Sequence, residues 1–382
     1  MNRFDIPAGQ PKAWTILARA QAAGKAASTY LFYGPVGVGA WSLAIEFTAL
    51  LNCQSPLGQL DRPETRRPCG QCQSCRSIYG LNFEGLHLVV PIPTHKNLDE
   101  AIDLTNVTLE QKRQEPFSML DRSKSITIPV ELAREIKRRL SIRGPAGVTR
   151  VVVFYQMEQM RFASADALLK MIEEPPSDTI IILTAINPDA LLPTIQSRAQ
   201  KIRLERLPEQ MVVDYLVQNY GATETDARTK ARVMERSLGR AVAAVAITEG
   251  EETDQRGVGL LLFKTLVTEP ASEVVGRMFD MLNFTDRGAA ENLIALWQSL
   301  IRDCAYLANA ADENELVNID FTPEIRQMAP ALSDPQVVQQ MVETTKNTLA
   351  DLPLNVHIQP ALIAMALKLK ADLEVGGRSS TG

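Results

Sequence analysis

Residues 29–47 read TYLFYGPVGVGAWSLAIEF: an apolar, β-favouring run, a glycine-rich turn, and an apolar segment at helical spacing. Thr29–Tyr33 suits a buried strand, Gly34–Gly39 supplies a tight turn, and the segment from Trp41 onward predicts a helix. Strand, glycine loop and helix together are how an α/β nucleotide-binding domain begins. Standing alone the loop could equally be an ordinary strand-to-helix turn, because glycines serve any tight turn.

A phosphate loop of the GxxxxGK[ST] kind needs backbone amides to cradle phosphate, a lysine to neutralise the outer phosphates and a hydroxyl to hold magnesium. Gly34, Gly37 and Gly39 build the loop here, but Ala40 stands at the lysine position and Trp41 at the hydroxyl position; Ser42 is one residue out of register. The second half of such a site is an acidic pair after a buried strand, which orients hydrated magnesium and polarises the attacking water. After RVVVF at 150–154 this chain has Tyr155 and Gln156. The nearest carboxylate, Glu158, has an odd offset of three from Tyr155 and is predicted to face the other side of an extended segment. With these requirements unmet together, the loop is predicted to be vestigial, with no ATP in it, and the function has to be argued from the site rather than from the fold.

Working outward, Arg150–Tyr155 and Thr179–Leu183 form two further buried strands, and Ala167, Leu168, Met171 and Ile172 mark a helix between them, which implies a parallel crossover. Leu132, Ile136 and Leu140 recur every four residues and predict an amphipathic helix over Val130–Leu140. The polar stretch from about 95 to 125 shows mixed charge without sustained periodicity and reads as an irregular insert. After Arg206-Leu207-Pro208 the strand signals stop and helical segments alternate with Gly, Pro or Asp breaks to about Leu373. The fold class is therefore α/β plus all-α: a parallel-sheet domain over 1–206, helical parts after it, and a small polar tail, 376–382, expected to be disordered.

Cys53, Cys69, Cys72 and Cys75 form C-x15-C-x2-C-x2-C within 23 residues. Two-residue spacing lets thiolates converge on one tetrahedral ion, and four of them leave no open coordination position, so a structural Zn2+ is expected in a module over about 51–80. The competing reading, buried or disulfide-linked cysteines, finds little core in the polar residues around them. Cys304 lies in a helical apolar stretch and reads as a core residue; His87, His95 and His357 have no ligand spacing.

The 382 residues are 45% hydrophobic and 22% charged, enough for two or three domains. Forty Lys plus Arg against 45 Asp plus Glu give a net charge of −5, which argues against coating nucleic acid by bulk charge. The only compact basic cluster beside an α/β helix is Lys137, Arg138, Arg139 and Arg143. It could meet DNA phosphate without reading sequence, although a solvated helix face explains it as well. No signal peptide pattern or apolar span stands out, so a cytoplasmic location is expected.

The order YLFYGPVGVG, CxxCxxC, RVVVFYQMEQM, ADALLKMIEEPP, NPDALLPTIQSRAQ and SLGRA resembles the clamp-loader branch of AAA+ proteins, from about Gly9 to about Leu369. Lacking the lysine and the acidic pair, it looks like the delta-prime subunits of DNA polymerase III. It departs from the pattern at Ala199, where a cysteine is usual, and at Phe83-Glu84-Gly85, where His-Pro-Asp is common. The resemblance implies a RecA-like AAA+ domain, a helical lid over 207–252 and an oligomerisation collar over 253–375. It also implies that Arg198 acts as an arginine finger in trans toward a neighbour's ATP, where a fixed guanidinium stabilises developing charge. Arg240 matches the second sensor position. The partners implied are gamma/tau ATPase subunits, the delta subunit, the sliding clamp, and primer-template DNA within the assembled complex. Two other readings remain open: an active gamma/tau-type ATPase, and a dead AAA+ scaffold in another complex.

Overall fold

The computed structural model describes residues 5–120, 126–142, 144–160, 171–172, 175–176, 178–246, 251–281, 287–309, 312–352 and 357–379. The chain divides into two compact units: Met1–Tyr215 with Arg236–Ala243, and Leu216–Glu235 with Ala244–Gly382.

The first unit is built on a five-stranded parallel sheet. Its strands are β1 (Thr29–Tyr33), β2 (Leu86–Val89), β5 (Arg150–Phe154), β6 (Thr179–Ala185) and β7 (Gln200–Arg203), in the order β2-β5-β6-β1-β7. A separate antiparallel pair joins β3 (Ile92–Pro93) to β4 (Ile126–Thr127). Every residue of β5 and β6 is buried, as expected of unbroken apolar runs in a sheet covered on both faces. Tyr33 pairs with Ala185 and Phe154 with Leu183, so the carboxyl ends of β1, β6 and β5 finish along one edge. In open α/β sheets such an edge carries the ligand crevice.

Helices α1 (Ile6–Gly9), α2 (Pro11–Ala22), α3 (Ala40–Asn52), α4 (Gln73–Tyr79), α5 (Leu98–Gln114) and α6 (Val130–Leu140) belong to this unit. α6 has the predicted bounds. Its end is tied to the sheet by Arg150, 5% exposed, which donates to the carbonyls of Leu140 and Ile142 and pairs with Asp178 at 2.6 Å. Of the predicted helix between β5 and β6, Met171 and Ile172 are helical and buried; Ala167 and Leu168 lie outside the described residues.

The expectation of an irregular insert over 95–125 is overturned by α5. Asn97 caps this helix by accepting from the Glu100 amide, Asp99 and Glu100 occupy the first turn, and Lys112 and Arg113 the last, the charge order the helix dipole favours. Its buried stripe is Ala101, Thr105, Thr108 and Lys112. The helical period is present but carried by polar residue types, so a search for apolar periodicity passes over it. β3 and β4 bracket this segment.

In the second unit a core that includes Phe263, Trp297, Leu300, Met341 and Leu362 is fully buried among helices. The Trp297 indole donates to the Gly259 carbonyl at 3.0 Å. A Cβ on Gly259 would stand 2.6 Å from Leu296 Cδ2, which makes glycine the fitting residue there. Cys304 is buried in this core as expected. The last helix, Ile358–Ser379, continues through the two glycines at 376 and 377, into the stretch expected to be a disordered tail; the rest of that stretch, 380–382, lies outside the described residues. A helix already nucleated over many turns tolerates the ~1 kcal/mol per glycine. Among the described residues no helix is long and apolar enough to cross a membrane.

Candidate functional site

At the carboxyl edge of β1, the loop Gly34–Gly39, together with Ala40, Trp41, Tyr155 and Gln156, lines one cavity of about 40 Å3; pockets that enclose drug-sized ligands run to ~300–1,000 Å3. The sequence-predicted loop and acidic-pair positions are thus brought together, but as packed side chains. Trp41, 3% exposed, meets Tyr155 edge to face with ring centroids 5.5 Å apart. The two positions where a hydroxyl and a carboxylate would share magnesium therefore form an aromatic contact.

Three of the loop's carbonyls are engaged by the protein. The carbonyl of Val36 accepts from Ser237 Oγ at 2.7 Å, that of Gly37 from the Gly239 amide at 2.9 Å, and that of Val38 from Gln10 Nε2 at 3.2 Å. Gly37 and Gly39 have φ of 76° and 95°, values that favour glycine. A Cβ at Gly37 would lie 2.3 Å from Ser237 Oγ; one at Gly39 would lie 2.4 Å from Ile6 Cδ1.

After β5 the backbone turns at Gln156, whose φ is +52° and whose amide donates to Thr184 Oγ1 at 2.9 Å. The chain enters a 3-10 turn, Met157–Gln159. Glu158 lies in this turn rather than in an extended segment, and its Oε1 accepts at 3.0 Å from the amide of Ile186, which lines the same cavity. Neither Ser42 nor any carboxylate is among the cavity's lining residues.

One lining residue was not anticipated. Lys112, from α5, is 3% exposed and points into the same cavity. Its Nζ donates to the carbonyls of Ser118 and Pro116, the latter at 3.4 Å, and to Tyr155 OH at 3.5 Å. It also lies 4.7 Å from the Tyr155 ring centroid and 5.8 Å from that of Trp41. The only trace of it in the sequence is its place on the stripe 101, 105, 108, 112.

Arg198 ends the short helix Pro193–Arg198, immediately before the edge strand β7. Its side chain is exposed, and Nη1 donates to Thr194 O at 3.0 Å. It does not line the chain's own cavity, and neither does the exposed Arg240. Lys137, Arg138 and Arg139 are exposed on α6. Arg138 and Arg139 both pair with Glu135, at 2.8 and 3.0 Å, and hold its carboxyl down to about 2. This compensation is that of a solvated helix face. Arg143 lies outside the described residues.

The four cysteines converge. One sulfur from each lies within 4.8 Å of all the others, and Cys69 Sγ and Cys75 Sγ are 4.0 Å apart. A tetrahedral ion with Zn–S bonds of ~2.3 Å sets its sulfurs ~3.8 Å apart, so the donor set fits a metal ion. None of the four is in a disulfide. Amides supply N–H···S support: Cys69 N to Cys53 Sγ at 3.2 Å, Cys72 N to Cys69 Sγ at 3.3 Å and Cys75 N to Cys72 Sγ at 3.5 Å. Donation from the Gln71 and Cys72 amides lowers the Cys69 thiol to about 6, while burial pushes Cys75 and Cys53 up. The module is fixed by a two-bond bridge between Leu57 and Arg67 and by the Trp14 indole of α2, which donates to Arg66 O at 2.9 Å.

Comparison with known proteins brings a family match and matches to individual relatives. The family described as "DNA polymerase III, delta subunit" matches residues 9–208. The DNA polymerase III subunit delta' of Pseudomonas aeruginosa is 30% identical over 197 residues, 51% of this chain and 47% of that protein. The corresponding subunit of Escherichia coli is 25% identical over 61% of this chain and 58% of its own length. That of Bacillus subtilis is 22% identical over 94% and 96%. The chain thus spans about half the length of the Pseudomonas relative and nearly all of the Bacillus one.

Proposed function

The chain belongs to the DNA polymerase III delta-subunit family, and from that premise we propose that it is a delta-prime-type clamp-loader subunit that does not hydrolyse ATP itself and lends Arg198 in trans to a neighbouring ATPase subunit. The observation that carries the first half is the Trp41–Tyr155 contact at 5.5 Å. It leaves neither hydroxyl nor carboxylate for magnesium, and phosphoryl transfer depends almost wholly on such positioning and charge. What supports the second half is the exposure of Arg198 at the sheet's edge, away from the chain's own cavity. A planar guanidinium there can reach a phosphate on another subunit.

The partners this function requires are gamma/tau-type ATPase subunits, a delta subunit, the sliding clamp, and primer-template DNA in the assembled complex, all in the cytoplasm. The lid at 207–252, with Arg240 in a structural role, and the collar at 253–375 belong to the same proposal. The four cysteines could hold a metal ion, which we take to be one structural Zn2+. It would cross-link Cys53 to the 69–75 segment and leave no position for a reacting water.

The test is to add the purified chain to its partner ATPase. Stimulation that falls ~10³-fold in Arg198→Ala supports the finger. Stimulation that survives the substitution rejects it and favours the scaffold reading. Turnover of MgATP by the isolated chain would reject the non-hydrolysing half and favour a gamma/tau-type motor.

A further inference from the structure

A working phosphate loop concentrates positive charge: a lysine at the position of Ala40 and a magnesium ion held by the hydroxyl and carboxylate at the positions of Trp41 and Tyr155. All of that charge is missing from this loop, yet the cavity still contains one cation. We propose that Lys112, delivered by the α5 insert, is the built-in replacement for the loop lysine and metal, and that the segment it belongs to seals the cavity against nucleotide. This inference rests on the reading that the cavity handles no ATP, and adds what occupies it instead.

Burial makes Lys112 informative. Moving an isolated ammonium out of water costs so much that it is tolerated only when its donors are satisfied. A lysine has three donors, and three oxygens meet them: Ser118 O, Pro116 O and Tyr155 OH. The faces of Tyr155 and Trp41 lie within cation–π range of its Nζ, at 4.7 and 5.8 Å. Two of the groups that hold the ammonium therefore stand at the positions from which a working site would hold magnesium. The other two come from the insert's own carbonyls, so compensation is internal and no anion is needed.

The rest of the segment behaves as a stopper. Pro116 and Phe117 line the cavity beside Lys112. Phe117 approaches the loop closely, 3.2 Å from where a Cβ on Gly39 would be, and packs edge to face on Tyr215 at 5.4 Å. Tyr215 OH donates to Glu115 at 3.0 and 3.1 Å. The turn after α5 is thus held at Glu115 and Phe117, on either side of Pro116, where the acceptors of Lys112 begin.

A double-mutant cycle on the full chain tests the assignment. Ala40→Lys returns the loop lysine, and Lys112→Met removes the insert's charge while keeping its length. If both ammonium groups compete for one place, Ala40→Lys lowers the Tm by several degrees when Lys112 is present and raises it when residue 112 is methionine. Equal shifts in the two backgrounds overturn the proposal, because contacting residues couple and independent ones add.

Should Lys112→Met not fold, native acetylation of the unmutated chain replaces it. Lys112 is 3% exposed, against an 80% exposed side chain for Lys12, and is expected to react at least ~10-fold more slowly. Comparable rates overturn the proposal. Binding of a fluorescent ATP analogue with magnesium by the unmutated chain would defeat the ATP-free reading itself. Additive shifts in a chain that stays silent toward the analogue defeat only the Lys112 assignment.

Discussion

Replacing Trp41 by threonine, the residue type a working loop carries, is expected to make the protein weaker rather than more enzyme-like. Trp41 is 3% exposed, packs on Tyr155 at 5.5 Å and offers its ring to Lys112 at 5.8 Å. Truncating a buried tryptophan costs ~3–5 kcal/mol through lost transfer energy and the cavity left behind. The aromatic pair contributes ~0.5–1.5 kcal/mol beyond area, and the new hydroxyl needs a partner in a cavity without carboxylates. Because these contributions overlap, about 4 kcal/mol is the reasoned total. With a urea slope of ~3 kcal/mol per molar for a unit of this size, the midpoint of the first unit falls by ~1–2 M. Urea unfolding followed by circular dichroism, with hydrogen exchange assigning the transition to residues 29–52, measures it. A loss under ~1 kcal/mol would mean that the position still tolerates a loop-type hydroxyl, and the argument that the site has been converted to core would fall.

Arg198→Ala is expected to leave thermal stability within ~0.5 kcal/mol, since the side chain is exposed; a large loss of Tm would mean that its effect on a partner ATPase is structural. Elemental analysis of the purified chain should find one zinc per chain. Stripping the metal with a chelator should raise thiol reactivity and hydrogen exchange over 53–79, and a value far below one rejects the site. The Glu135 carboxyl is depressed to about 2 from an ordinary 4.5, so its pairing with Arg138 and Arg139 is fully present above pH ~4.5 and is lost as pH falls through ~2. Carboxyl-carbon NMR showing titration near 4.5 instead would remove those ion pairs. Gly37→Ala should destabilise the first unit by ~1–3 kcal/mol in the absence of added nucleotide, because φ is +76° and Ser237 Oγ would stand 2.3 Å from the new Cβ; an unchanged denaturation midpoint would refute this.

The parts of the fold that could be read in advance are those whose physics is local. The unbroken apolar runs of β1, β5 and β6 and the period-four stripe of α6 each carry their signal within a dozen or so residues, and the cysteine spacing within 23. The expectation for Glu158 assumed an extended segment, but Gln156, held by Thr184 from the neighbouring strand, turns the backbone before strand alternation can act. α5 was missed because its buried stripe is Ala, Thr, Thr, Lys. The threonines satisfy their hydroxyls on the helix's own carbonyls, Thr105 on Ala101 and Thr108 on Leu104, while Lys112 uses Pro116 and Ser118 nearby and Tyr155, 43 positions away. A polar side chain can be buried once its hydrogen bonds are met, and a search for apolar residues is blind to that route.

The same reasoning bears on why the loop differs from a working one at so many positions at once. A nucleotide site emptied of its ligand is a polar cavity with orphaned amides and charges, and such a cavity destabilises the fold until it is filled or neutralised. Losing the lysine at 40 removes a charge that magnesium-bound phosphate would have balanced. A tryptophan at 41 and a tyrosine at 155 then fill volume with groups that satisfy each other. Both rings present faces, and a ring face attracts a cation, so Lys112 finds a place there without an anion. On this account the four residues form one interdependent replacement. Restoring the working-site residue at 40, 41 or 155 alone should cost stability, and only restoring all three with Lys112 removed should reopen the cavity to MgATP.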